Sequence, residues 1–211
     1  MTISTTARRD AIAAQARQEL DALEARGVWF TGNGYSPILL VKGEPNDAEC
    51  AGGELLAGAD GHALRAALTA IGWAPEDFCA LAAVFAPGAG DGVSVDDGAT
   101  ADVSVPVGDV APDALAPLDP DTFREAVEAV DPEAIVLLDD AAADAMREAY
   151  ADALAIIDDF DTAMLAPGLV ASVAGRRVLA VGGFEAALTD PHKKQVAWAY
   201  LKQLAPLGAP Y

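Results

Sequence analysis

Gly43-Glu44-Pro45-Asn46-Asp47 is the stretch whose residue types and position could do chemistry. It follows Pro37 to Val41, a short β-rich apolar run of the kind that forms a buried central strand. Open α/β sheets place ligands beyond the carboxyl ends of their strands, so the turn after such a run is where a site is expected. Glu44 and Asp47 could orient a water as general base. The plainer reading has Glu44 hydrogen-bonding the turn and Asp47 stabilising it through an Asx-type bond. The amides of this turn, with Gly58 and Gly61 at the start of the following helical pattern, could also hold an anionic ligand.

The other chemically able side chains have no comparable setting. His62 lies in the first turn of a helical segment and His192 in the first turn of another, and neither has a triad partner nearby in sequence. Cys50 and Cys79 are far apart and have no CxxC spacing or companion histidines, so no disulfide framework, metal site or iron–sulfur cluster is indicated. Asp158, Asp159 and Asp161 lack the glycine and twelve-residue spacing of a calcium loop, and read as a solvated acidic turn. No metal and no cofactor is expected.

The elements that must position the turn follow from periodicity. Ile12, Ala16, Leu20 and Leu23 recur at helical spacing from Thr5 to Arg26, a helix ended by Gly27 and expected to pack as an N-terminal cover. A helical stretch from Gly58 to Ile71 leads to a strand over Phe78 to Phe85. The segment from Ala86 to Pro120 is rich in Gly, Asp and Pro and reads as an acidic insertion over the sheet's edge, with Val103 to Val107 as an optional edge strand. Asp121 is expected to cap a helix through Val130, before a strand over Ala134 to Leu138 and a helix over Asp140 to Ala155. Arg177 to Val181 reads as a fourth strand and Asp190 to Leu204 as the closing helix, with Pro191 in its first turn. Strands alternating with helices imply right-handed crossovers: an α/β domain over residues 1–211, with a doubly wound, mainly parallel four-stranded sheet between helices. Residues 1–30 are its helical extension and 86–120 its insertion.

Four segments, in order from about Ile38 to Leu204, give the chain a resemblance to the bacterial family 4 and 5 uracil-DNA glycosylases. Gly43 to Glu49, then Gly53 and Gly58-Ala59-Asp60-Gly61, resembles that family's Gly-Glu-x-Pro-Gly turn, acidic cluster and Gly-x-x-Gly helix start, with one residue missing between Glu44 and Pro45. Pro75-Glu76-Asp77-Phe78 is similar to the lead into its second strand, and Asp131 to Leu138 to its third. Asp190-Pro191, Lys194, Trp198 and Leu201-Lys202 resemble its last helix.

The resemblance also implies what is absent. A glycosylase flips the target base into a pocket and stabilises its departure as an anion. The family's aromatic platform falls on Leu56, its base-reading Asn on Ala82, and its Lys-Cys-Arg-Pro-Pro run on Phe85-Ala86-Pro87. Its His-Pro-Ser turn falls on Gly183-Phe184-Glu185, and the glycine of its third turn on Asp139, a carboxylate where a phosphate would approach. The pocket positions implied by the resemblance are therefore Gly43, Pro45, Asn46, Leu56, Gly58, Gly61, Ala82, Gly183, Phe184 and Glu185, with Glu44 and Asp47 the surviving catalytic candidates.

The charge balance agrees with that loss. A formal charge of −20 disfavours a polyanionic partner, because nucleic-acid binding relies on Lys and Arg displacing counterions from phosphates. From Ala66 to Phe123 ten carboxylates face no Lys or Arg, whereas Arg176, Arg177, Lys193, Lys194 and Lys202 gather near the C-terminus as a local basic group. No apolar run spans a bilayer and the start resembles no signal peptide, so a cytoplasmic protein without membrane contact is expected. The leading expectation is a non-catalytic uracil-DNA glycosylase-like protein that keeps the fold as a scaffold for a protein partner or small ligand. Two alternatives stay open: an active glycosylase with a reorganised site, and a binding module for a free nucleobase or nucleotide.

Overall fold

The computed structural model describes residues 5–34, 36–74, 78–87 and 115–206. In chain order, helix α1 (Thr5–Ala25) leads to strand β1 (Val28–Thr31), strand β2 (Ile38–Lys42), the single turn α2 (Asp47–Cys50), helix α3 (Ala59–Ala70) and strand β3 (Phe78–Phe85). Helix α4 (Pro120–Val130), strand β4 (Ala134–Leu137), helix α5 (Asp140–Ala149) and the short helices α6 (Ala151–Leu154) and α7 (Phe160–Ala163) follow. Strands β5 (Val170–Val173) and β6 (Arg176–Ala180), helices α8 (Phe184–Ala187) and α9 (Pro191–Leu201) and a 3-10 turn over Lys202–Leu204 complete the described chain.

The sheet has six strands in the order β1-β3-β2-β4-β6-β5. Its central four, β3, β2, β4 and β6, are mutually parallel, as the apolar runs imply. The expected four-stranded sheet is corrected at both margins: β1 pairs antiparallel with β3, and β5 antiparallel with β6. Val103 to Val107 and most of the 86–120 segment lie outside the described residues.

Strand β2 is buried along its whole length, so its sequence carries no alternation, yet its side chains still alternate between two cores. Leu39 and Val41 face α1, α4 and α5, with Leu20, Leu23, Phe123 and Met146. Ile38 and Leu40 face α3, α8 and α9, with Leu64, Leu68, Phe184 and Leu201. Leu20 and Leu23 bury the face of α1 against the first core, the role expected of an N-terminal cover.

Caps set several boundaries. The start of α4 is capped by Asp119 rather than Asp121: the Asp119 carboxylate accepts the Thr122 amide at 2.9 Å. Pro120, whose missing N–H costs nothing at a first helical position, moves the start back by two residues. The expected helix from Asp140 to Ala155 is interrupted at Tyr150, where φ is −121°. Asp190 caps α9 by accepting the amides of His192 and Lys193.

Candidate functional site

In the observed strand order the chain leaves β2 first toward β3 and then returns to the other side of β2 as β4. The gap between the carboxyl ends of β2 and β4 is thus the topological switch point, where a ligand would be expected. Gly43 and Glu44 leave the end of β2 there, and Asp139 leaves the end of β4.

Asp139 occupies the gap itself. Its carboxylate accepts the Gly43 amide at 3.0 and 2.9 Å through its two oxygens and the Glu44 amide at 3.0 Å. It also accepts the Ala142 amide at 2.8 Å, which caps α5. Three donors that could receive a ligand's anion are held by one aspartate. Gly43 is required at this approach, since a Cβ there would lie 2.4 Å from the Ala142 nitrogen.

Lys42 fills the neighbouring volume. It continues the parity of Ile38 and Leu40, so its side chain is carried to the α3 and α8 face, where it is buried. Its ammonium meets Glu49 and Asp60 at 2.7 Å and Glu185 at 3.0 Å. Burial alone would push the lysine pKa down. Hydrogen bonds to Asp60, Glu49 and Glu185 outweigh that and hold it well above the ordinary lysine range.

Both buried acids are tied further. Glu49 accepts the Asn46 amide and the Leu56 amide, each at 2.7 Å, and the Asn46 side chain accepts the Glu49 amide, closing a capping box on α2. The Asx role expected of Asp47 therefore belongs to Asn46, and Asp47 is exposed in the first turn of α2. Asp60 accepts the Gly61 amide at 2.8 Å. Gly61 has no room for a side chain, as its Cβ would fall 1.6 Å from the Leu56 carbonyl oxygen.

The remaining cavity is about 90 Å³, lined by Lys42, Glu44, Asp60, Asp139, Phe184 and Glu185 among others. That is small against the roughly 300–1,000 Å³ of ordinary ligand sites. With Glu49, one ammonium faces five carboxylates, so the mouth of the sheet carries a formal excess of negative charge.

Of the residues singled out in the sequence, Gly43, Glu44, Gly183, Phe184 and Glu185 meet at or beside this cavity. Gly183 adopts φ +68° at the start of α8, a left-handed conformation that glycine takes without strain. Leu56 and Ala82 are packed in the core beneath it, and Pro45 and Asn46 belong to the turn into α2. His62 and His192 are exposed on α3 and α9, Cys50 is exposed and Cys79 buried. Lys42 is the residue that sequence reading missed; its signal was its place at the end of β2, two residues beyond Leu40 on the same face.

The C-terminal basic group divides in two. Arg176 pairs with Asp131 at 2.7 Å and Arg177 with Glu133 at 2.8 Å, whereas Lys193, Lys194 and Lys202 have no carboxylate within ion-pair distance among the described residues. No described helix is long and apolar enough to cross a membrane.

Compared with known proteins, the chain matches no family model and no curated sequence.

Proposed function

We propose that this chain is a non-catalytic binding scaffold of uracil-DNA glycosylase-like design, whose switch-point crevice is closed by its own side chains. The observation that carries this reading is Asp139, which takes the amides of Gly43, Glu44 and Ala142. A phosphate or departing base approaching those donors would have to displace a carboxylate and enter a volume lined by further acids. Lys42, the cation of the crevice, is already matched by three carboxylates and has little field left for an incoming anion.

The same arrangement disfavours a free nucleotide as ligand, because the Gly43, Glu44 and Gly61 amides are satisfied internally. Glu44 is an exposed carboxylate at the rim that, unlike Glu185, is not paired with Lys42, and an active glycosylase would have to recruit it as water-orienting base.

Anisotropy of a labelled uracil-containing single strand, titrated at low and moderate salt, tests the scaffold reading. Binding weaker than about 10⁻⁴ M, the weak edge of ordinary non-specific binding, is expected at both. Micromolar binding that falls steeply with salt would overturn it.

A further inference from the structure

A second concavity lies on the α3, α8 and α9 side of the sheet, separated from the acidic crevice by Phe184, which lines both. Its volume is about 440 Å³, within the range of small-molecule sites. Ala63 and Ala67 stand one turn apart on α3 and leave the space that larger residues would fill. Leu188, Trp198 and Leu201 close the other walls. The two helices are fixed across it, since the Trp73 indole N–H, just past α3, donates to the Leu204 carbonyl, just past α9, at 2.9 Å.

The polar groups at this groove are Lys194 and Gln195. Lys194 carries a charge without a carboxylate partner among the described residues, on the same helix as Lys193; Lys202 follows the end of that helix, its ammonium 6.0 Å from the Trp198 ring centre. By contrast Arg17, Arg26, Lys42, Arg124, Arg147, Arg176 and Arg177 are each paired with an acid. In a chain of formal charge −20, acids are abundant, yet Lys194 stands unmatched at the rim of this groove, whereas Arg65, also without an acid, is engaged by the Leu56 carbonyl at 2.7 Å and by the Phe78 ring. Screening over about 8–10 Å at physiological salt makes this local charge, rather than the distant net charge, decide what approaches.

We propose that this groove binds a small organic acid with an apolar, aromatic body. The body lies between Ala63, Ala67 and Trp198, and the acid group sits at Lys194 with Gln195 as hydrogen-bond donor. An aromatic body gains the Trp198 face as well as apolar burial. The site does not depend on whether the acidic crevice is catalytic.

The probe for the test is 8-anilinonaphthalene-1-sulfonate, an aromatic anion that fluoresces when desolvated, with uncharged N-phenyl-1-naphthylamine beside it. The full chain is expected to take up one equivalent of each saturably. Lys194→Gln should weaken the sulfonate about two- to fivefold, the effect of one exposed charge pair, and leave the amine unchanged. Ala67→Phe, or Ala63→Leu should the first variant not keep the native circular dichroism, should lower binding of both probes at least tenfold. Undiminished binding to a folded, groove-filled variant, or no saturable binding to the wild type at millimolar probe, would overturn the proposal. Equal loss of both probes in Lys194→Gln would overturn the assignment of the acid group.

Discussion

Asp139 accepts the Gly43 amide through both of its carboxylate oxygens, 96 residues away in sequence. One side chain thus holds the ends of the two strands that flank the switch point and also caps α5. Structure and proposed loss of chemistry rest on the same group.

Asp139→Ala is therefore expected to destabilise the protein by about 2–3 kcal/mol, the cost of a lost helix cap together with buried amides left without an acceptor. Urea unfolding measures it. A change below about 0.5 kcal/mol would mean that the three amides find other acceptors.

Gly43→Ala tests the same contact from the other strand, because the new Cβ would fall against the Ala142 nitrogen and the Ala141 side chain. Both are fixed by the start of α5, so a loss of about 1–3 kcal/mol is expected, as for overpacking in a core. An unchanged denaturation midpoint would contradict the close approach.

Lys42→Met should cost about 3–5 kcal/mol, since it leaves Glu49 and Asp60 buried without their cation. Adding Glu49→Gln and Asp60→Asn to it should recover part of that loss, whereas Glu185 is half exposed and needs no replacement. A triple variant less stable than the single one would show that the acids are held by their amide donors rather than by Lys42.

Tyr150 is fully buried, its hydroxyl has no hydrogen-bond partner among the described residues, and Arg124 lies 4.8 Å above its ring. Burial pushes the phenol pKa up to about 12. The unfolded chain releases this proton near pH 10 while the folded one keeps it, so the associated stability is present below about pH 10 and is lost as pH rises toward 12. Lys42, also raised, acts in the same direction above its ordinary pKa of about 10.4. Tyr150→Phe should match or exceed wild-type stability at pH 7 and show a shallower alkaline decline. A loss above about 1 kcal/mol at pH 7 would reveal a partner for the hydroxyl.

The central parallel strands were legible because continuous apolar runs between helical patterns permit little else. The antiparallel margins were not: Val28–Thr31 and Val170–Val173 are four residues each, too short for a period to declare itself. The strand-end turns were also legible, and Asp139 was visible as a carboxylate at an anion's place. What could not be read was that its oxygens would take the anion's donors, or that Lys42 would gather Glu49, Asp60 and Glu185. Those contacts join residues up to 143 positions apart and depend on strand order, which a single sequence does not print.

Uracil excision tests the closed crevice most directly. Labelled single- and double-stranded oligonucleotides carrying uracil would be incubated with the full chain at low salt, then treated with alkali to cleave abasic sites. No product is expected even with protein in excess. Product from substoichiometric protein, abolished by Glu44→Gln, would contradict the account and make Glu44 the water-orienting base of an active glycosylase.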